Sequence, residues 1–296
     1  MADDAAVVVV TWNAAGHIVR CLESAAGYET VVVDNGSTDG TAALVRERFP
    51  AVRLIEQENR GMGGGNNTGM RAAAGGRYWL LLNSDAYLAA PGTLDRLVAF
   101  ADAHPRAAVV GPRLTNPDGS LQRSVRGDPS VWRLATEYLF LRKLGPRTHA
   151  LNAFYGAGFD HLSAARVESL QGAALLVRRQ AADEVGLFDE AFFMFSEETD
   201  WLYRFRRAGW QVWFTPAAEV VHLGGTSHGG RLYAENLRGI LRFLAKHKGA
   251  RAAARARLVL LWSLRLRAAV FRGERGAMYA EGASFLASGD VPALLS

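Results

Sequence analysis

Short runs of β-branched and aliphatic residues alternate with helical segments through the first 110 residues, and this alternation constrains the fold most strongly. The strand-like runs are Ala6–Thr11, Thr30–Val33, Val52–Glu56, Arg77–Leu82 and Ala107–Val110. Helices are predicted between them, at Ala15–Ala25, Thr38–Phe49, Asn66–Ala74 and Thr93–Ala103. Such alternation predicts parallel strands joined by right-handed crossovers. The predicted class is therefore α/β, with a central, mostly parallel sheet flanked by helices.

The later part of the chain is less regular. Residues 112–170 contain four prolines and no clear period. Strands are predicted at Gln211–Thr215 and, after Pro216, at Glu219–His222, and helices at Tyr233–Lys246 and Ala252–Phe271. We expect one domain over residues 1–230 and a helical extension over residues 231–296.

Cysteine content and apolar runs bear on the compartment. Cys21 is the only cysteine, which excludes an internal disulfide framework and a Cys-rich zinc site and favours a reducing compartment. The acidic start lacks the pattern of a secretory signal, and the tail's longest apolar run, Leu258–Leu264, is far below the roughly 20 residues of a spanning helix. We therefore expect a cytoplasmic protein.

Positive charge is concentrated in the tail. The chain has a net charge of +5, but residues 231–275 alone hold twelve Lys and Arg against two acids, so the rest of the chain is mildly acidic. On a helical wheel the side chains of Arg251, Arg255, Arg265 and Arg272 share one arc, which Leu258 and Trp262 interrupt. The tail therefore favours peripheral contact with an anionic membrane, on its inner face, and a solvated helical face is the alternative. We expect no nucleic-acid partner.

Small polar residues follow four consecutive predicted strands. These are Thr11-Trp12-Asn13, Asp34-Asn35-Gly36-Ser37, the stretch Asn59–Asn67 and Asn83-Ser84-Asp85. Each alone is ordinary turn chemistry. Together they predict one ligand crevice beyond the carboxyl ends of the strands.

The glycine-rich stretch Gly61–Gly65 is not a standard phosphate loop. A G-x-G-x-x-G pattern from Gly61 fails at Asn66, and the chain has no G-K-[ST] motif there. We expect its backbone to approach a ligand closely, with amide side chains beside it.

Two residues are candidate ligands of a divalent cation. Asp85 follows the apolar run Tyr78–Leu82, where a buried strand would reach the crevice, and such a carboxylate can hold a hard cation on diphosphate oxygens. His222 ends an apolar strand beside glycines and is the second candidate. A turn role for Asp85 and a structural role for His222 are the alternatives.

Three acids in four residues, Glu197, Glu198 and Asp200, lie between an aromatic run and a predicted helix. Ser196 is predicted to cap this helix, and acids in its first turn would complement the helix dipole. The flanking aromatics also place these carboxylates at the edge of a core, where one kept ionised by the helix N-terminus suits a general base for a hydroxyl nucleophile.

These motifs, in this order, resemble family 2 glycosyltransferases of the GT-A fold, especially the rhamnosyltransferase-like branch. The resemblance covers about residues 5–230 and includes Val-Val-Asp-Asn-Gly-Ser-Thr-Asp-Gly, Leu-Leu-Asn-Ser-Asp, Glu-Glu-Thr-Asp-Trp and Val-His-Leu-Gly-Gly-Thr-Ser. It implies an inverting transfer from a nucleoside-diphosphate sugar, with Mg²⁺ or Mn²⁺. The implied donor is dTDP-rhamnose or a UDP-sugar, and the acceptor is a glycan, a lipid-linked molecule or a small molecule.

The resemblance also implies roles for individual residues. Thr11, Asn13 and Asp34 would hold the base and ribose; Asn59, Gly61 and Asn66 would line the nucleotide and sugar-phosphate path. Ser84 and Asp85 stand at the Asp-x-Asp-like motif, whose first acid is Asn83 here, and Asp85 and His222 would hold the metal. Glu198 corresponds to the catalytic base, with Asp200 as the alternative.

Two other classes of function fit parts of the same pattern. One is a nucleotide-sugar-binding protein without turnover, because the motif acids vary from the family pattern. The other is a sugar-phosphate nucleotidyltransferase, against which Glu198, Asp200 and His222 argue. Arg178 is predicted to contact phosphate or to form an exposed structural salt bridge, and Asp189 to form a turn.

Overall fold

The computed structural model describes residues 4–145, 148–152, 154, 156, 158–224 and 230–295. Its strands are β1 (Ala5–Thr11), β2 (Thr30–Asp34), β3 (Arg53–Glu56), β4 (Tyr78–Asn83), β5 (Ala86–Leu88), β6 (Ala107–Thr115), β7 (Leu121–Gln122), β8 (Val125–Arg126), β9 (Ala165–Arg166), β10 (Ser169–Leu170), β11 (Ala174–Arg178) and β12 (Gln211–His222). The order of the main sheet is β3-β2-β1-β4-β11-β6-β12-β5. Among the described strands on this path, only β11 and β5 run against the others. The predicted α/β class with a mostly parallel sheet is confirmed.

Helices cover both faces of the sheet and fill the tail. They are α1 (Ile18–Ser24), α2 (Thr41–Arg48), α3 (Gly61–Ala72), α4 (Thr93–Ala103), α5 (Val131–Tyr138), α6 (His149–Asn152), α7 (Arg179–Val185), α8 (Glu197–Arg207), α9 (Gly230–Lys248), α10 (Ala250–Val270), α11 (Gly273–Ala287) and α12 (Val291–Leu295). In the described part of the chain, no helix combines the length and apolar character needed to cross a membrane.

Parallel pairing of β1 with both neighbours brings their carboxyl ends to one edge of the sheet. Every residue of β1 and β2 is buried, which explains their continuous apolar sequences. Thr11 pairs in register with Asp34, and Val10 pairs with Asn83. The polar residues that follow these three strands therefore lie at the same edge, as the sequence predicts.

The prediction of two separate strands around Pro216 is wrong. Gln211–His222 is one strand, and its parallel register with β6 shifts between Thr215 and Glu219. Proline cannot donate to a sheet ladder, so a local irregularity of this kind accommodates Pro216 without ending the strand.

The tail is joined to the body through a shared apolar core. Leu134 and Tyr138 of α5 and Phe192 are buried in one cluster with side chains of α9, α10, α11 and α12. Gly239 of α9 lies against the bend before α8, because a Cβ there would stand 2.5 Å from the carbonyl oxygen of Phe195. The bend that precedes the acidic segment is therefore supported by the tail.

Candidate active site

The ends of β1 and β2 present two buried polar atoms side by side. The Oδ1 atom of Asp34 accepts hydrogen bonds from the N–H groups of Gly36 (3.0 Å) and Ser37 (2.7 Å). Its Oδ2 atom and the Oγ1 atom of Thr11 are buried and have no hydrogen-bond partner among the described residues. Buried polar atoms are normally satisfied, so this adjacent pair fits a ligand that offers polar groups of its own.

Asn13 holds the loop after β2 in place. Its backbone adopts a left-handed conformation (φ 50°), and its N–H donates to the Ser37 hydroxyl at 2.8 Å. Its side-chain oxygen accepts from the N–H of Thr38 at 2.8 Å. The described contacts of Asn13 thus join the loops after β1 and β2, which border the Thr11–Asp34 pair.

The prediction that Gly61–Gly65 forms a loop is wrong, while its approach to a ligand stays a prediction. The segment is the first half of α3, and its glycines let that helix approach the rest of the protein. A Cβ on Gly65 would stand 2.6 Å from Val10 Cγ1, and one on Gly61 (φ 72°) would stand 1.9 Å from the carbonyl oxygen of Phe193. Gly is required at these positions by close packing against β1 and the 188–193 loop.

The amides next to these glycines also have partners within the protein. Asn59 Oδ1 accepts from the N–H of Gly61 (3.0 Å), and Asn66 Nδ2 donates to the carbonyl of Met62 (3.0 Å). Asn67, which the sequence did not single out, is buried and bonds both the N–H and the carbonyl of Phe188 at 3.0 Å. These contacts fix the start of α3 locally and against Phe188.

Asp85 and His222 come together as the sequence predicts. The Nε2 atom of His222 lies 3.3 Å from Oδ1 of Asp85, because β12 pairs antiparallel with β5 immediately after the Asn83-Ser84-Asp85 turn. The side chain of His222 is 7% exposed and that of Asp85 16%. Ser84 lies in the same turn, partly buried.

Gln122, which the sequence analysis missed, sets the orientation of the imidazole. Its Oε1 lies 2.7 Å from His222 Nδ1, and its Nε2 donates to Asn116 Oδ1 at 3.0 Å. An amide oxygen accepts, so Nδ1 carries the proton in neutral His222 and Nε2 presents a lone pair beside the Asp85 carboxylate. This is the arrangement by which a hydrogen bond at one ring nitrogen prepares the other for a metal.

The donor set at Asp85 and His222 fits a divalent cation that also binds the ligand. Among the described residues no group of three or more His, Cys, Asp or Glu side chains could hold a metal. One carboxylate and one imidazole leave most of a cation's coordination sphere for phosphate oxygens and water, as is usual for Mg²⁺. Residues 225–227 of the Val-His-Leu-Gly-Gly-Thr-Ser motif lie outside the described residues.

Glu198 lies on the same side of the molecule as Asp85. A Cβ added to Gly172 would stand 3.6 Å from Glu198 Cγ. The next residue, Ala173, accepts a hydrogen bond through its carbonyl from the N–H of Asn83 at 3.0 Å. The first turn of α8 and the turn after β4 are therefore neighbours across the Gly172–Ala173 segment.

Burial makes Glu197 and Glu198 easier to protonate than ordinary glutamates. Their Oε2 atoms are buried and have no hydrogen-bond partner among the described residues. Burial raises the pKa of Glu198, although the N–H groups of Glu198 and Thr199 oppose the shift; burial and the Glu198 charge raise the pKa of Glu197. The N-terminus of α8 thus favours ionisation of Glu198, as expected, but burial outweighs it. The prediction that the Ser196 side chain caps α8 is wrong, because Ser196 makes no capping hydrogen bond and has φ 66°.

Asp200 has a different environment from Glu198. Its side chain is 0% exposed, and its carboxylate contacts Arg204 Nε (2.8 Å), Lys246 Nζ (2.8 Å) and His247 Nε2 (2.6 Å). The carboxylate is thus enclosed by three basic groups, two of them on α9. This geometry favours Glu198 over Asp200 as the base.

Two other residues named from the sequence have structural contacts. Arg178 donates to the carbonyls of Ala107 (2.9 Å) and Ala101 (2.6 Å), far from the strand ends. Asp189 Oδ1 accepts from the N–H of Ala191 at 3.0 Å, which is the predicted turn role.

Sequence comparison identifies relatives that act on sugars. The model of glycosyl transferase family 2 matches residues 6–165. The chain is 35% identical over 238 residues to an N-acetylglucosaminyl-diphospho-decaprenol L-rhamnosyltransferase of Mycobacterium tuberculosis, covering 75% of this chain and 76% of that protein. It is also 37% identical over 90 residues to a chondroitin synthase of Escherichia coli, covering 28% of this chain and 13% of that protein.

Comparison with solved structures finds the same fold in two glycosyltransferase complexes. GalNAc-T7 with UDP, GalNAc and Mn²⁺ matches with a TM-score of 0.59 at 17% identity, covering 81% of this chain and 48% of that one. The mannosyltransferase PcManGT of Pyrobaculum calidifontis with GDP-Man and Mn²⁺ matches with a TM-score of 0.55 at 19% identity, covering 98% of this chain and 84% of that one. The predicted GT-A fold is confirmed. The chain belongs to glycosyl transferase family 2, and it is a glycosyltransferase of the rhamnosyltransferase-like branch that its motifs predict.

Proposed function

We propose that this enzyme transfers rhamnose from dTDP-rhamnose to a hydroxyl group of a lipid-linked glycan, with inversion at the anomeric carbon and with a divalent cation, Mg²⁺ or Mn²⁺. The mycobacterial relative is named for rhamnosyl transfer to a decaprenol-diphosphate sugar, which supports both the donor sugar and the acceptor class. A UDP-sugar donor is the alternative. Cys21 is the only cysteine of the chain, which is typical of a reducing compartment. We therefore place the reaction on the cytoplasmic side of the membrane.

One observation carries the proposed mechanism. A carboxylate–imidazole pair, Asp85 and His222, and a buried carboxyl group, Glu198, lie on the same side of the molecule and are connected through the Gly172–Ala173 segment. Single displacement needs a group that stabilises the negative charge on the leaving diphosphate and a base that accepts the proton of the incoming hydroxyl. Asp85 with His222 suits the first task, and Glu198 suits the second.

Each side chain has a task in this proposal. Thr11 Oγ1 and Asp34 Oδ2 make hydrogen bonds to the base and ribose, which would satisfy their buried polar atoms. Asp85 and His222 hold the divalent cation, with His222 oriented by Gln122. When bound, the cation supplies neutralisation of the negative charge on the diphosphate.

Glu198 accepts the proton of the acceptor hydroxyl. As that oxygen forms its bond to the anomeric carbon, the bond from this carbon to the diphosphate breaks, and the diphosphate leaves with the electron pair. Attack from the face opposite the leaving group inverts the configuration. The raised pKa of Glu198 brings its basicity nearer to neutral pH, which suits proton transfer at the operating pH.

The decisive test separates donor binding from transfer. Glu198→Gln should bind dTDP-rhamnose with Mn²⁺ about as the parent enzyme does, but transfer should fall by about 10²–10⁴-fold. Asp85→Asn should lose the effect of Mn²⁺ on donor affinity in calorimetric titration. Full transfer in both variants would refute the mechanism. If the parent enzyme transferred from a UDP-sugar and not from dTDP-rhamnose, only the proposed donor would be refuted.

A further inference from the structure

An apolar stripe is exposed to solvent along α10. Leu258, Trp262, Leu266 and Val270 are 49%, 61%, 51% and 64% exposed. They are spaced four residues apart, which places them in one row on the helix surface. A contiguous exposed apolar surface of this kind marks an interaction site rather than ordinary surface variation.

The stripe is not the core-facing side of α10. Leu260, Leu261 and Leu264 on the opposite side are buried in the core that α10 shares with α5, α9 and α11. The helix therefore has one apolar face satisfied within the protein and a second one directed outward. This second face also explains why the helical wheel of the tail looks weakly amphipathic.

Arginines accompany the exposed stripe. Helix α10 contains five arginines and no acidic residue. Arg251, Arg255 and Arg265 are exposed, and the Arg265 guanidinium lies 4.9 Å from the centroid of the Trp262 ring. Aliphatic and indole groups flanked by arginines are typical of helices that lie in the headgroup region of a membrane.

A second exposed apolar segment lies near the C-terminal end of α10. The centroids of the Phe140 and Phe271 rings are 6.2 Å apart. The segment after α5 therefore lies by the C-terminal end of α10. Leu139 and Leu144, the second at the end of a 3₁₀ helix (Leu141–Leu144), are 39% and 81% exposed, and Lys143 adds a positive charge. Apolar and basic groups therefore occur together on two elements rather than on α10 alone.

We propose that the outer face of α10 forms a docking surface for an anionic lipid bilayer, with the stripe inserted at the level of the headgroups. Charge complementarity favours this occupant over a second copy of the chain. A two-fold contact through this face would bring the same arginines of both copies together, whereas anionic lipids would neutralise them. The inference does not depend on the proposed function, because lipid binding can be measured without any transfer reaction.

The test is co-sedimentation of the full chain with vesicles of phosphatidylcholine containing about one third phosphatidylglycerol. Trp262→Ser combined with Leu266→Ser should lower the partition coefficient about tenfold or more, because two apolar anchors are lost. Arg251→Glu, Arg255→Glu and Arg265→Glu combined should lower it about a hundredfold. Pure phosphatidylcholine vesicles should bind the parent chain much more weakly.

Matched surface substitutions serve as controls. Leu162→Ser changes a leucine that is 70% exposed on another part of the surface, and Arg207→Glu changes an exposed arginine of α8; neither should alter vesicle binding. Equal binding by the parent and both stripe variants would overturn the proposal. So would a dimer, seen by sedimentation equilibrium, that the stripe substitutions dissociate, since the face would then bind a second copy.

Discussion

His247 Nε2 on α9 lies 2.6 Å from Asp200 Oδ1 on α8, two residues beyond Glu198. This contact joins the tail to the helix that carries the proposed base. Lys246 adds a second link from α9, at 2.8 Å to the same oxygen. The two neighbouring acids of α8 therefore have separate tasks: Asp200 fixes the helix, and Glu198 faces Gly172.

Asp200→Asn should destabilise the fold. The substitution removes a buried negative charge and leaves Arg204, Lys246 and His247 without their shared partner. Breaking a buried ion pair from one side costs about 3–5 kcal/mol. We expect a loss near 3 kcal/mol in the free energy of unfolding, measured by urea denaturation, because Lys246 also has Asp189 as a partner.

Glu198→Gln is the matched control, since it makes the same chemical change two residues away. In the parent enzyme the Glu198 carboxyl group has a buried oxygen without a described partner. The free energy of unfolding of Glu198→Gln should therefore stay within about 1 kcal/mol of the parent value or rise. If Glu198→Gln unfolds the enzyme as easily as Asp200→Asn does, the division of tasks between the two acids is incorrect.

The pH dependence of transfer should reflect the raised pKa of Glu198. A base must be ionised, so kcat/KM should rise with pH, with the midpoint of its acid limb above the ordinary glutamate value of 4.5. A pH profile of initial rates, corrected for unfolding, checks this. Rates that are independent of pH from 4.5 to neutrality, or highest at low pH, would contradict the assignment.

The same shift predicts a pH effect on stability. Above pH 4.5 the unfolded chain loses the proton of Glu198, while the folded chain retains it up to a higher pH. The folded state then binds more protons, so the free energy of unfolding should fall as pH rises through this interval. In Glu198→Gln this contribution should be absent, which urea denaturation at several pH values would show.

The sequence predicted β1 to β4, part of β6 and the edge where the first four strands end, because their apolar runs and polar termini are local properties. It also named Asp85 and His222 as candidate metal ligands, each at the end of a predicted strand, and the family resemblance paired them. It could not show that α9 encloses Asp200 or that Gln122 orients His222. Those contacts join residues far apart in the sequence, 47 residues in the first case and 100 in the second.

The glycine-rich segment shows why a local pattern can mislead. Four glycines in five residues usually favour a loop, since each is a poor helix former. Here Val10, Phe188 and the Phe193 backbone lie where side chains of α3 would extend, so only glycine permits the approach. The first half of α3 exists because of its neighbours, whereas the sequence predicted only the second half, from Asn66 onward.

Gln122→Leu should weaken the metal site without removing a metal ligand. Leucine keeps the approximate size but gives His222 Nδ1 no acceptor, so the imidazole loses its fixed tautomer and orientation. Loss of such a partner typically lowers metal affinity by about 10–100-fold. Titration of Mn²⁺ in the presence of dTDP measures this; Asn116→Ala, one contact further from the metal, should have a smaller effect. Unchanged Mn²⁺ affinity in Gln122→Leu would show that Gln122 has no part in the site.

Gly69→Ala should lower stability even though alanine is the better helix former. A Cβ at Gly69 would stand 2.3 Å from Val8 Cγ1, and Val8 is fully buried in the sheet. Overpacking of this kind costs about 1–3 kcal/mol, which exceeds the gain of up to about 1 kcal/mol in helix propensity.

Gly16→Ala is the control, because no atom lies within 4 Å of its added Cβ and its backbone is not left-handed. Urea denaturation should place Gly69→Ala below the parent and Gly16→Ala at or above it. A Gly69→Ala variant as stable as Gly16→Ala would mean that α3 can move away from β1, and that close packing does not explain its glycines.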